Sequence, residues 1–353
     1  MSFSRKIFGL SYRYIFKPLA FCLDAEFVHE SMTSIGELLE NADWLLAPLF
    51  VYEHPSLHRT VLGLHFDNPI GLSAGFDYDG HDAQVLKSVG FGFNTVGTVT
   101  AQAYEGNPGK RLDRLPKSKS LFVNKGFKSE GAAAVAKRLD TKNLRGHTVG
   151  ISIGSTNSPK VNTIQKAIED YCVTFHMFQN RAYVKYFELN ISCPNTSMTE
   201  SFTNPKNFEQ LLKKVTALKL KQPIFVKMPN EIEAKNSDAL VSTALKHGVH
   251  GFIFSNLVKN RKNPAFNVAE MQKFANMKGN FSGKPTEKNA NALIAHTRKK
   301  FGKKVAIIGV GGVFGVKDAQ AKFNAGADLV QLITGMIYEG PQLIGEICEG
   351  LVK

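Results

Sequence analysis

From about residue 67 onward, short apolar runs alternate with amphipathic stretches, and turn-forming residues stand between them. The clearest run is Tyr186 to Ser197, YFELNISCPNTS. There Phe187, Leu189 and Ile191 alternate with polar neighbours at the period of a β-strand, and Pro194 breaks the pattern. The same reading predicts eight strands, at 70–73, 94–98, 149–154, 186–192, 224–228, 251–256, 305–309 and 329–333. Helical periodicity lies between most of them, at 128–139, 164–178, 207–220, 238–247, 289–300, 316–324 and 341–352. Eight strands with intervening helices predict an α/β chain folded as a (β/α)8 barrel of the TIM type, with the site at the C-terminal strand ends. A doubly wound sheet is the alternative.

The first part of the chain differs. Ile7, Phe8, Tyr14, Ile15, Leu19 and Phe21 are mixed with Arg5, Lys6, Arg13 and Lys17, and Pro18 is expected to interrupt a helix there. Asp24 can cap a second helix, in which Phe27, Val28, Met32, Ile35, Leu38 and Leu39 form one apolar stripe. Trp44, Leu45, Leu46, Leu49 and Phe50 continue the apolar supply. The expected division is a small helical extension over 1–50 and a barrel over 51–353. Two readings of the extension are open: it packs on the barrel, or it is a peripheral membrane anchor, because aromatic and apolar side chains mixed with Arg and Lys suit the headgroup boundary. No run reaches the ~20 apolar residues that span a bilayer, and no secretory cleavage pattern is present.

Composition narrows the partners. The 353 residues are 43% hydrophobic and carry a net charge of +14. The basic residues are spread along the chain without a nucleic-acid module, so nucleic acid is not expected, whereas an anionic membrane or acidic metabolites suit the charge. The densest group, Arg298, Lys299, Lys300, Lys303 and Lys304, falls at a helix end and reads as a solvated face. Cys22, Cys172, Cys193 and Cys348 are far apart, which suggests neither a disulfide framework nor a zinc site. His54/His58 and His247/His250 lack accompanying ligands, so no metal is expected.

On the barrel reading, Ala74-Gly75, Gly97-Thr98, Asn190, Cys193, Lys227, Ser255-Asn256, Gly311-Gly312 and Thr334-Gly335 converge above the strands. Glycines after strand seven, with Thr334-Gly335 after strand eight, place backbone amides where such barrels bind phosphate. Asparagines can hold a planar heterocycle by its amide-like edges, and a thiol beside them can move a proton. An ordinary turn with a buried cysteine is the plainer alternative. Lys227, in IFVKM, is either a structural ion-pair partner or a cation that stabilises negative charge on a reduced flavin.

At these residues the chain closely resembles the dihydroorotate dehydrogenase family, in its quinone-dependent, membrane-associated class. The likeness runs through LDAEFVHE, NPIGLSAGFDYDG, GTVT, GNPGKRLDRLP, VNKGF, NISCPNT, VKM, FSGKP, IIGVGG and VQLITG, in that order. It implies an FMN-binding barrel that oxidises dihydroorotate to orotate in pyrimidine synthesis, with the extension guiding a quinone to the flavin. The family scheme makes Cys193 the base that takes the C5 proton. Substrate contacts fall on Tyr78, Asn124, Gly126, Phe127, Asn190, Asn195 and Asn256. FMN contacts fall on Ala74, Gly75, Thr98, Ser152, Asn190, Lys227, Ser255, Gly283, Gly311, Gly312, Thr334 and Gly335. His29, Arg114 and Ile333 fall where the class lines its quinone tunnel. A monomer on the cytoplasmic face of a bacterial inner membrane is implied in preference to a mitochondrial location.

Several positions depart from the class pattern. Cys193 stands where serine is usual, Tyr78 replaces a substrate-contacting lysine, Ser152 replaces an asparagine, and Ile333 replaces a tyrosine. The VNKGF loop is one residue short, which leaves Lys125 or Lys128 to supply the missing charge. A thiol of ordinary pKa, about 8.5, would be a more accessible base than a hydroxyl. The alternatives are an FMN enzyme for another substrate or acceptor, and a silent flavin-binding homologue.

Overall fold

The computed structural model describes residues 3–353. Eight parallel strands form a closed barrel: β1 (Ile70–Leu72), β2 (Phe93–Val99), β3 (Thr148–Ile153), β4 (Val184–Asn190), β5 (Ile224–Met228), β6 (Gly251–Phe254), β7 (Ala306–Val310) and β8 (Leu329–Leu332). They pair in chain order, and β8 closes on β1. Each falls on an expected segment, so the TIM-barrel reading holds and the doubly wound sheet does not. The sixth strand is shorter than expected, because Ser255 and Asn256 turn away at the rim. Helices Ala132–Asp140, Ile164–Phe178, Pro205–Ala217, Ala234–Lys246, Glu287–Phe301, Val316–Ala325 and Leu343–Val352 cover the outside. The first of these begins later than its periodicity predicts, because Gly131 sits at φ +88° and Ser129 pairs with Tyr104 instead.

Strand β4 shows why the pattern reads as it does. Phe187 faces outward against Phe175 of helix 164–178, with ring centroids 5.0 Å apart. Tyr186, Glu188 and Asn190 face the barrel interior, where each finds polar partners. The alternation therefore separates helix-facing from barrel-facing positions, and both faces are buried, as parallel sheets require. A hairpin, Arg59–Val61 with Leu64–Phe66, seals the N-terminal end by packing Val61 and Phe66 on Phe93, Tyr186 and Phe225. At the opposite end a three-stranded antiparallel sheet, Leu112–Leu115, Ser120–Val123 and Asn280–Phe281, walls the mouth. These short strands carry no sequence period and were not expected.

The amino-terminal region is helical: α1 (Phe3–Ser11), a wide π-type turn over Tyr12–Phe16, α2 (Lys17–Cys22), α3 (Ala25–Leu38) and α4 (Asp43–Phe50). Pro18 does not break the first run as expected. The π-type turn, in which the Lys17 amide reaches back to the Tyr12 carbonyl, ends just before it, and Pro18 then sits in the first turn of α2 where no donor is needed. Asp24 caps α3 as expected, accepting from the Glu26 and Phe27 amides at 2.9 and 3.1 Å.

Polarity in α3 is inverted relative to a helix packed on a globular core. Glu26, Glu30 and Glu37 point at the barrel and pair with Arg111, Lys125, Lys128, His81 and Lys142, and Glu40 just past the helix joins Lys142. Phe27, Met32, Ile35 and Leu38 point away, and Leu38 is 84% exposed. Among the described residues, all exposed large hydrophobics except Leu62, Val173 and Val268 lie between Phe3 and Leu45. Among those residues, no helix is long and apolar enough to cross a membrane.

Candidate active site at the barrel mouth

A continuous polar chain crosses the barrel just below its C-terminal rim. Lys227 Nζ donates to Ser73 Oγ at 2.9 Å and lies 3.2 Å from Glu188 Oε1. Ser152 Oγ reaches the same carboxylate at 3.4 Å and stands 3.0 Å from Thr98 Oγ1. Thr98 Oγ1 accepts from Asn190 Nδ2 at 3.0 Å, and Asn256 Nδ2 donates to Asn190 Oδ1 at 3.3 Å and to Ser192 Oγ at 3.1 Å. Lys227 has the buried ion-pair partner of the structural reading and also borders the mouth. Glu188 is 0% exposed, and removing either member would leave the other charge stranded in a poorly solvated interior.

Two joined depressions open above this chain. The first, about 100 Å³, is bounded by Lys227, Ser255, Gly283, Gly311, Gly312, Thr334 and Gly335. The second, about 140 Å³, is bounded by Gly75, Tyr78, Thr98, Gly126, Phe127, Cys193 and Asn195, with His29 and Ile337 on its outer side. Ala74, Asn190, Asn256, Leu257, Ser282 and Ile333 belong to both, so the expected cofactor and substrate positions form one hollow. A wider charged cleft of about 560 Å³ lies outside, between α3 and the loops after β1 and β2, and meets the inner hollow at His29, Phe76, Tyr78 and Lys125.

Three expected site residues do not line the hollow. Ser152 is fully buried one layer down, where it supports Thr98 and Glu188. Asn124 turns to Asn107, whose Nδ2 donates to Asn124 Oδ1 at 2.9 Å. Arg114 lies under the turn between α2 and α3, donating to the Leu23 carbonyl at 2.9 Å with its guanidinium 4.7 Å from the Phe21 ring centre. Asn107 was missed, although it stands in the GNPGKRLDRLP motif. Its amide also donates to the Asn195 carbonyl at 2.8 Å, while its oxygen accepts from Tyr104 at 2.7 Å and Asn157 at 3.0 Å. Asn280, also missed, donates to Asn195 Oδ1 at 2.6 Å. Isolated asparagines outside any periodic element give no sequence signal of such convergence.

Local electrostatics set the protonation states. Burial pushes the Cys193 thiol up to about 12, and the Asn195 amide, with a smaller effect of Lys227, only partly offsets it. That lies well above the ordinary thiol value, so the thiol holds its proton at neutral pH. His29 is pushed down to about 4 by burial and by Lys125, so its imidazole is neutral. Its ring packs edge-on against Phe76 at 5.1 Å and Tyr78 at 5.5 Å. Burial lowers Lys125, whose Nζ lies 2.6 Å from Glu26 Oε1 and 5.2 Å from the Tyr78 ring centre.

Residues 56–353 match the family profile described as Dihydroorotate dehydrogenase. The chain belongs to the dihydroorotate dehydrogenase family. It is similar to the Dihydroorotate dehydrogenase (quinone) of Trichormus variabilis, 34% identical over an alignment of 357 positions, gaps included, that covers 97% of this chain and 94% of that protein. The protein of the same name from Bordetella avium is 34% identical over an alignment of 351 positions, gaps included, that covers 96% of each chain. Among solved structures, DHODH from Eimeria tenella in complex with ferulenol superposes with a TM-score of 0.82 at 24% identity, over 94% of this chain and 93% of that one, a likeness of fold. Membership of the dihydroorotate dehydrogenase family implies a flavin, and the residues present fit one. A Cβ on Gly335 would run into the Val313 carbonyl, and one on Gly311, at φ +100°, would meet Thr286, so only glycine lets these loops pack this closely where they border the hollow. Thr334 Oγ1 and Ser282 Oγ, 2.8 Å apart, add hydroxyls at the same edge.

Proposed function

We propose that this dihydroorotate dehydrogenase homologue uses FMN to oxidise dihydroorotate to orotate, with a membrane quinone as acceptor, in pyrimidine synthesis. The observation that carries this reading is the meeting of Cys193, Asn190, Asn195 and Asn256 on one hollow that runs into the glycine cradle of β7 and β8. Gly283, Gly311, Gly312, Thr334 and Gly335 would receive the phosphate, while Ala74, Gly75, Thr98, Asn190, Lys227 and Ser255 would flank the ring. A bound flavin supplies hydride acceptance from the substrate and electron transfer to the quinone. Asn190, Asn195 and Asn256 bind the amide-like edges of the pyrimidine, with Gly126 and Phe127 beside them. Asn107 and Asn280 hold Asn195 in place from behind. The thiolate form of Cys193 takes the C5 proton and becomes the thiol, and Lys227, anchored by Glu188 and Ser73, stands beside the ring.

Residues 1–50 serve in this reading as a quinone-access extension. The outer side of the hollow is apolar, with Leu112, Leu121, Ile333 and Ile337, and His29 is neutral there. Arg114 steadies the α2–α3 turn above that opening. The outward apolar face of α3, with Trp44 at 78% exposure and the flanking helices, supports peripheral seating in an anionic leaflet on the cytoplasmic side of a bacterial inner membrane. The lipid covers that face, and the protein acts as a monomer. Purified FMN-loaded protein should form orotate from dihydroorotate with a short-chain quinone in detergent. Turnover with soluble acceptors but with no quinone would exclude the quinone assignment.

A further inference from the structure

We infer that Lys125 is the cation that receives the carboxylate of the substrate, and that Glu26 of α3 holds it in position. The inference rests on the proposed substrate, dihydroorotate, which is an anion. Among the described residues lining the second depression, which holds Cys193 and Asn195, Lys125 is the one charged side chain, since His29 is neutral there. An anion entering a largely apolar hollow needs a fixed counter-charge, because water no longer solvates it. Lys227 lines the neighbouring depression and is already matched by Glu188.

The cluster around Lys125 has one positive charge in excess. Glu26 is bound by Arg111 through two oxygens, Nε to Oε2 at 3.1 Å and Nη2 to Oε1 at 3.0 Å, and also by Lys125 at 2.6 Å. One carboxylate thus faces two cations, and Arg111 alone satisfies it in the bidentate manner that suits guanidinium. Lys125 is 4% exposed, and Glu26 is the one hydrogen-bond acceptor that its ammonium reaches among the described residues. An ammonium has three donors, so two remain for a ligand. Its cation sits over the Tyr78 ring, which fixes the direction of approach. Lys128, the other basic residue of the loop, pairs with Glu30 at 3.1 Å, is 30% exposed, and borders the outer cleft alone. Lys125 stands where that cleft joins the inner hollow.

Equilibrium dialysis of orotate and of its uncharged methyl ester against flavin-loaded protein tests this. Compared would be the parent, Lys125→Met, Lys125→Arg, and the double variant Lys125→Met with Glu26→Gln, which removes both members of the ion pair. Lys125→Met should weaken orotate by about 10- to 150-fold, the span of a charged hydrogen bond, with the ester changed by less than about twofold and Lys125→Arg retaining most of the affinity. In turnover the loss should fall on KM more than on kcat. The double variant should repeat the Lys125→Met result, and it decides the matter if the single variant does not fold. Orotate affinity equal to the parent's in both methionine variants, or parallel loss of orotate and ester, would overturn the role of Lys125. A parent that holds flavin but binds no orotate would remove the substrate reading and this inference together.

Discussion

Replacing Cys193 by alanine separates the proton-transfer role from mere packing. The thiol is 7% exposed and its pKa is pushed up to about 12. At pH 8 the thiolate is then roughly one molecule in 10⁴, and each added pH unit multiplies it about tenfold. If Cys193 is the base, the rate constant for flavin reduction by dihydroorotate should climb about tenfold per pH unit from pH 6 upward, until the substrate complex itself deprotonates. The direction follows from the shift: a raised acid pKa leaves the proton on, so activity is lost as pH falls and gained as it rises. Cys193→Ala should lower the rate constant by about 10² or more at any such pH and abolish the slope. The substitution removes one buried sulfur and should cost no more than about 1–2 kcal/mol of stability, so flavin content serves as the control for folding. The assay is single-turnover flavin bleaching under anaerobic conditions across a pH series. Retention of the same slope by the alanine variant, or a rate near that of the parent, would refute the assignment.

Glu188→Gln leaves the buried Lys227 ammonium uncompensated and should cost about 3–5 kcal/mol in denaturant unfolding, part of which the added Lys227→Met change recovers. Both variants should bind flavin less tightly than the parent, as measured by flavin release. Asn107→Ala unpairs Asn124, the Asn195 carbonyl, Tyr104 and Asn157 together, and kcat/KM for dihydroorotate should fall about tenfold while flavin content holds. Leu38→Ser should weaken binding to anionic phospholipid vesicles by about tenfold or more, the worth of one apolar side chain. Trp44 is the single tryptophan of the chain, so its emission should shift to the blue when vesicles are added, and an unchanged spectrum would count against lipid contact at α4.

The barrel was legible because each strand must bury both faces. Phe187 and Leu189 face the helices, while Glu188 and Asn190 face the interior, and this imposes a period of two that survives in the sequence. Site residues at strand ends were legible for the same reason: once Lys227 is placed on β5 and Asn190 on β4, their register neighbours follow. Loop residues were not. Asn107 and Asn280 meet Asn195 only through chain separations of 88 and 85 residues, which no local pattern encodes. Glu188 looked like one polar member of an alternating strand, and only the closed barrel shows that it faces Lys227 across the β4–β5 pair. The apolar stripe of α3 was found, but its direction was not, because periodicity cannot tell which face of a helix meets the protein. The glutamates on the other face, paired with Lys125, Lys128 and Lys142, settle that orientation.

The most direct measurement of the central claim is anaerobic stopped-flow absorbance of the purified, FMN-loaded protein mixed with dihydroorotate. Fast, saturable loss of the oxidised-flavin band, with orotate formed in equal amount, is the result expected of Cys193 and the asparagines acting at this hollow. No bleaching by dihydroorotate, in protein whose flavin dithionite still reduces, would contradict the account.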